Sequence, residues 1–206
     1  VTSNDILIIM ASNPDKGRVK RKLAKEVGDE QALGVYQKLL IYTKEITKKL
    51  NCDKSVFYSD RIDDNDLWDN MIYTKNLQSG DNRGERLTDA FTRAFAMGKD
   101  RVVVIGTDCI ELESYMIKEA FAVLESNDVV MGPSSDGGYY MLGMRKFLPM
   151  LLLEKDWNSD DLLMDTIIDL KKLDSKYYLL KTLNNIETSA DLDQLSRVQQ
   201  KPDDWF

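Results

Sequence analysis

The feature that most limits the fold of this 206-residue chain is its alternation of short, wholly apolar runs with helical patterns. Ile6-Leu-Ile-Ile-Met10 offers no polar side chain to water, so a strand built from it must be covered on both faces. Arg101-Val-Val-Val-Ile-Gly106 repeats the pattern. Residues 55–59, 128–132, 138–144 and 177–181 read as further strands, with 71–74 a short one. Helical spacing predicts helices over 29–50, 85–97, 114–125 and 160–173. In the first of these, Leu33, Tyr36, Leu39, Leu40, Thr43 and Ile46 recur three and four residues apart. Gly98 stands where a glycine ends a helix, and Thr188 is placed to cap a last helix over 190–198. No repeat, low-complexity stretch or flexible linker interrupts the series. The expectation is one three-layer α/β/α domain over residues 1–206, with a mainly parallel central sheet in which 101–106 is a central strand beside 6–10.

Composition narrows the chemistry. Hydrophobic residues make up 43% and charged residues 31%, the balance of a globular chain and not a disordered one. The net charge of −7 argues against a nucleic-acid partner. With no histidine, a Ser-His-Asp triad, an HExxH protease or a His-ligated zinc is excluded. Any acid, base or metal ligand must therefore be Asp, Glu, Lys, Tyr, Cys or backbone. Cys52 and Cys109 form no CxxC pair. Their spacing leaves a disulfide open, and two reduced thiols of a cytoplasmic protein are the simpler reading. The run from Ile6 to Ala11 is too short for a signal-peptide core or a membrane span, so no membrane partner is expected.

There is no G-x-x-x-x-G-K-[ST] and no G-x-G-x-x-G. The acidic stretch 60–69 lacks the glycine and terminal glutamate of a calcium loop and reads as a solvated loop. Three other segments carry chemistry. Between Lys16 and Lys25 lie six cations and no acid, directly after the first apolar strand. In an open α/β sheet, ligands bind at the carboxyl ends of strands, so this stretch is either a diphosphate site or a solvated helix start. Asp108 follows the Val-Val-Val-Ile strand. It suits Mg²⁺ or Mn²⁺ bridging to phosphate, or serves as a turn residue. Gly132-Pro-Ser-Ser-Asp-Gly-Gly-Tyr-Tyr140 is a hairpin signal that also offers the Asp136 carboxylate and two tyrosines.

Taken in order, these segments resemble a bacterial family assigned as glycosyltransferases of the nucleotide-diphospho-sugar transferase (GT-A) fold. The family is described as arsenosugar-biosynthesis-type or radical-SAM/selenodomain-associated. Its P-x-P-G-x-V-K-T-R-L is matched at Pro14, Gly17, Val19, Lys20 and Leu23. Its D-L-G-E-R-M is matched at Gly84, Glu85 and Arg86, with Asn82 or Asp81 standing for the aspartate. Its I-G-T-D-C-P becomes Ile105 to Ile110, and G-P-x-x-D-G-G-Y-Y is met in full by residues 132–140. Trp157-Asn-Ser159 replaces W-S-T, and the terminal D-x-D-T-x-x-D-L becomes Asn185 to Leu192 with both early aspartates changed.

The resemblance implies a metal-dependent transferase acting on a nucleotide-diphosphate sugar and a small-molecule acceptor. Asp108 and Asp136 are its catalytic candidates, with Asp108 the ligand of Mg²⁺ or Mn²⁺. Ser12, Gly17, Arg18, Lys20, Lys22, Gly84, Glu85 and Arg86 are candidates for nucleotide or phosphate. Gly137, Gly138, Tyr139 and Trp157 are candidates for substrate. Asp108→Asn is then expected to leave the protein folded with little change in melting temperature, and to remove the metal-dependent part of nucleotide binding. Two alternatives stand beside this one. A nucleotidyltransferase of the guanylyltransferase type would release pyrophosphate. A degenerate nucleotide-binding protein, favoured by Asn82 and Asn185, would turn nothing over.

Overall fold

The computed structural model describes residues 4–193. Its frame is a seven-stranded sheet in the order β3-β2-β1-β4-β6-β5-β7. The strands are β1 (Asp5–Ala11), β2 (Asp53–Tyr58), β3 (Thr74–Leu77), β4 (Arg101–Ile105), β5 (Val129–Pro133), β6 (Tyr139–Met144) and β7 (Tyr177–Leu179). All run parallel except β6, which is antiparallel to both β4 and β5. The helices are α1 (Arg21–Val27), α2 (Asp29–Thr47), α3 (Arg83–Ala96), α4 (Ser114–Val123) and α5 (Leu162–Lys172).

The period of two along a strand explains the continuous apolar runs. Leu7, Ile9, Val103 and Ile105 point to one face, where α1, α2 and α4 supply Leu23, Leu39, Ile117 and others. Ile6, Ile8, Val102 and Val104 point to the other, against Phe91 of α3 and Leu170 of α5. The expected three layers with β1 and β4 paired at the centre are thus present. Both cysteines are free, and burial raises the Cys52 thiol to about 11 and the Cys109 thiol to about 12.

Two expectations are corrected. The third strand covers Thr74–Leu77, not 71–74. Asp69 O accepts from Ile72 N and Tyr73 N, both at 2.9 Å. That turn drives Tyr73 into the core, edge-on to Trp68 and bonded to Thr47, before the strand begins. The 60–69 stretch is also more than a solvated loop. Asp66 accepts from Tyr58 Oη and pairs at 2.8 Å with Lys75, whose side chain is 5% exposed. Near the C-terminus Thr188 does cap a turn, reciprocally with Asp191. The remainder of the helix expected over 190–198 lies outside the described residues from 194 onward.

Three features place the site. β1 and β4 lie side by side and connect in opposite directions across the sheet, which opens a crevice at their carboxyl ends. The β5–β6 hairpin brings residues 134–138 to the same edge. Beyond β7 the chain crosses that edge, where Leu183 N donates to Pro133 O (3.0 Å) and Ile186 N to Asp108 O (2.8 Å).

Candidate active site

Lys20 is the centre of the crevice. Its backbone is left-handed (φ 47°), a conformation that L side chains seldom adopt and that is often found at functional sites. Its side chain is 5% exposed, and its ammonium lies 2.5 Å from Asp108 Oδ1. It also donates to Ile186 O at 2.7 Å and lies 3.9 Å from Glu187 Oε1. Behind it, Tyr36 Oη ties the ends of β1 and β4 together. It accepts from Ser12 N (2.8 Å), donates to Ser12 O (3.1 Å) and meets Thr107 Oγ1 (3.3 Å). Burial, then the Asp108 charge, raises its hydroxyl to about 12, so it stays a neutral clamp.

The other cations of the basic stretch are less free than the sequence implies. Arg18 pairs with Asp60 at 3.3 Å, and Lys22 lies 3.6 Å from Glu187. These pairs are exposed, hence worth little, and an incoming phosphate can displace them.

On the opposite wall, Asp136 Oδ1 accepts from Ser134 Oγ and from Gly138 N (3.2 Å), and Asn185 Nδ2 donates to Oδ2 at 3.3 Å. An aspartate at 185 would repel Asp136, so the asparagine suits this chain's own site. Burial works against the Asp136 charge, but these hydrogen bonds outweigh it and hold the carboxyl below its usual value. Asp136 is therefore an ionised acceptor and a weak base. Its folded value is lowered, so its contribution to stability is complete above the ordinary carboxylate value of 3.8 and is lost as pH falls through the folded value. Melting curves of wild type and Asp136→Asn should accordingly differ by a constant amount from pH 5 to 8 and converge only in stronger acid. A difference that varies between pH 5 and 8 would contradict this account.

Asp108, Asp136, Lys22, Gly138, Tyr139 and Trp157 line one cavity of about 300 Å³. Ser12, Arg18, Lys20, Lys22 and Asp108 line a second of about 280 Å³. Ser12, Arg86, Asp108 and Tyr139 share a third of about 390 Å³ beside α3. Asp108 is common to all three.

Gly17, Gly84, Glu85 and Gly137 line none of them. Gly17 sits in the exposed turn before α1. A Cβ on Gly84 would come within 2.3 Å of Leu152 O and 2.8 Å of Trp157 Nε1, so its bareness lets α3 pack beneath the Trp157 segment. Glu85 is spent on the helix start. It accepts from Asn82 Nδ2 (2.7 Å) and Asp81 N (2.8 Å), while Asn82 Oδ1 accepts from Glu85 N (3.0 Å). Asn82 both donates and accepts here, which an ionised aspartate cannot do.

Sequence reasoning missed Arg83 and Tyr36. Tyr36 reads as an ordinary core position of α2. Arg83 stands inside the Asn82–Leu87 motif, at the position where the resembled pattern carries leucine, and that exchange was the available signal.

A family model described as "Uncharacterized protein conserved in bacteria (DUF2064)" matches residues 42–159. The chain belongs to the DUF2064 family. The matched span holds the Gly84-Glu-Arg86, Asp108, Asp136 and Trp157 segments, whereas Lys20 and residues 183–188 lie outside it.

Among solved structures, one from Desulfovibrio desulfuricans G20, titled a "putative nucleotide-diphospho-sugar transferase", is 27% identical. It superposes with a TM-score of 0.87 over 98% of this chain and 90% of the other. A 4-diphosphocytidyl-2C-methyl-D-erythritol synthase from Anaerococcus prevotii DSM 20548 is 14% identical (TM-score 0.60, 97% of each chain). A cytidylyltransferase from Leptospira borgpetersenii serovar Hardjo-bovis is also 14% identical (TM-score 0.56, 94% of this chain and 85% of the other). The fold is that of the nucleotide-diphospho-sugar transferases, and the structural neighbours are transferases and nucleotidyltransferases. No curated protein matches the sequence. Among the described residues no helix is long and apolar enough to cross a membrane.

The candidate site offers a divalent cation carboxylate oxygens, while the one thiol lining it, Cys109, is raised by burial to about 12 and stays protonated. Asp108 and Glu187 carboxylate oxygens both lie within 4 Å of the Lys20 ammonium, at 2.5 and 3.9 Å, so the two acids already share one positive charge. Among the described residues no three acidic or thiol side chains gather as a ready-made metal cage. That donor set fits Mg²⁺ or Mn²⁺ arriving with phosphate oxygens, since Mg²⁺ commonly takes one or two carboxylates and completes its shell from substrate and water.

Proposed function

We propose that this protein is a transferase that takes a nucleotide-diphosphate sugar as donor and moves the sugar to a small acceptor. The observation that carries this reading is the buried Lys20 set against Asp108 at the crevice of β1 and β4. The likeness of the whole chain to the Desulfovibrio structure supports it, as does the resemblance of its motifs to the arsenosugar-biosynthesis-type glycosyltransferases. Lys20, with Arg18 and Lys22 exchanging their exposed carboxylates for phosphate, binds and orients the diphosphate. Asp108, with Glu187, would hold Mg²⁺ or Mn²⁺, which supplies Lewis-acid stabilisation of charge on the departing diphosphate. Asp136 accepts a hydrogen bond from a hydroxyl of donor or acceptor and fixes its orientation. One domain carries all of these groups.

A melting panel of nucleotides and nucleotide sugars, with and without Mn²⁺, tests the reading. A ligand at about a hundred times its dissociation constant adds about 2.7 kcal/mol, which raises the melting temperature by roughly 5–10 °C. A nucleotide sugar should give that shift with Mn²⁺, and turnover should release nucleoside diphosphate. The metal-dependent part should vanish in Asp108→Asn. Release of pyrophosphate from a nucleoside triphosphate would replace glycosyl transfer by nucleotidyl transfer, and binding without any product would make the protein a binding module.

A further inference from the structure

Arg83, the first residue of α3, is held by an aromatic ring and not by an acid. Its guanidinium carbon lies 5.5 Å from the centroid of the Trp157 ring. Among the described residues it donates no hydrogen bond and meets no carboxylate within 4 Å. A cation over a ring face uses none of its N–H donors as hydrogen bonds, so those of Arg83 stay unspent among the described residues. Arg83 lines both the Asp136–Trp157 cavity and the α3 cavity.

The charge around it makes that free edge informative. The Asp136–Trp157 cavity is walled by Asp108, Asp136, Asp160 and Glu187, and of its two cations Lys22 already lies 3.6 Å from Glu187. An anion entering there meets two cations: Lys22, whose exposed pair with Glu187 it must displace, and Arg83, which among the described residues has no acid to give up. The ring that carries it is itself fixed: Trp157 Nε1 donates to Leu152 O at 3.3 Å, and Tyr139 meets it edge-on at 5.9 Å. A guanidinium pinned on a fixed ring presents a planar fork that suits two oxygens of one anion.

We propose that Arg83 on Trp157 is an oxyanion subsite for the acceptor, so that the acceptor carries a phosphate or a carboxylate. The inference rests on the transferase reading for the word acceptor. Arg83 and Lys20 line different cavities that share Asp108, which leaves the Lys20 cavity to the donor diphosphate.

The test follows the arginine Nε–Hε resonances by NMR while inorganic phosphate, and separately acetate, is titrated. The Arg83 signal is identified by its loss in Arg83→Lys. A saturable shift of that signal with at least one anion is expected, and the one that binds names the group. Affinity should fall about tenfold or more in Arg83→Leu, and Lys should restore only part of it. A still resonance with both anions, unchanged affinity in Arg83→Leu, or full recovery by Lys would overturn the proposal. The titration is repeated with the protein saturated by whichever nucleoside diphosphate stabilises it in the melting panel. Simultaneous binding supports an acceptor subsite, and displacement would assign Arg83 to the donor instead. If no nucleotide stabilises the protein, the transferase reading fails, while the phosphate titration still decides whether Arg83 binds an anion.

Discussion

Gly137→Ala is expected to lower the melting temperature by about 10 °C, from a loss of about 3 kcal/mol or more. Two effects add. The residue holds φ at 85°, where a side chain strains the backbone. A Cβ there would also stand 1.7 Å from Asp160 O, a backbone atom that cannot swing aside. Leu163 N donates to Gly137 O at 2.9 Å, so the hairpin turn is docked on the start of α5 and cannot retreat without breaking that bond. Ser134, Asp136 and Gly138 belong to the same turn, so ligand binding should fail together with stability. A thermal melt reads the effect, and a shift of less than about 3 °C, the scale of a 1 kcal/mol change in a domain this size, would refute the tight docking. The sequence marks Gly137 as a hairpin glycine and, through the resemblance, as a substrate candidate, but not as a docking point for α5.

Lys20→Met should weaken nucleotide binding about tenfold or more, the scale of one charge-assisted hydrogen bond to phosphate. Its cost in stability should be smaller, about 1 kcal/mol, because Asp108 is 41% exposed and can recover water. Asp108→Asn should behave in the opposite way for stability. It removes the charge nearest an ammonium whose side chain is 5% exposed and leaves it an amide oxygen, Ile186 O and a Glu187 oxygen 3.9 Å away, so it should cost about 2 kcal/mol. A loss of that size is larger than the little change in melting temperature expected from the sequence alone. Melts and nucleotide titrations of the two variants decide the point. Equal stability losses would show that burial of Lys20 does not matter, and unchanged affinity in Lys20→Met would remove it from the phosphate site.

The sheet was legible because its central strands are covered on both faces. Apolar runs such as 6–10 and 102–105 admit few other folds, and the turns after them had to carry the ligand chemistry. The motif segments were legible for a different reason: chemistry requires particular side chains at fixed spacing. Asn82 and Asn185 show where reading by pattern stops. As departures from a pattern they suggest lost function. In the folded chain, Asn82 completes a reciprocal helix cap with Glu85, and Asn185 donates to the ionised Asp136.

By itself the sequence determined the layer architecture, the parallel pairing of β1 with β4 and the absence of histidine chemistry. These follow from local periodicity and composition, which need no knowledge of distant neighbours. Only the tertiary structure decided which charges are spent. Lys20 meets Asp108 and Ile186 across 88 and 166 residues of chain, and Arg83 finds Trp157 in place of an acid. Ion pairing and burial depend on how separate elements pack in three dimensions, and no spacing along the chain encodes them.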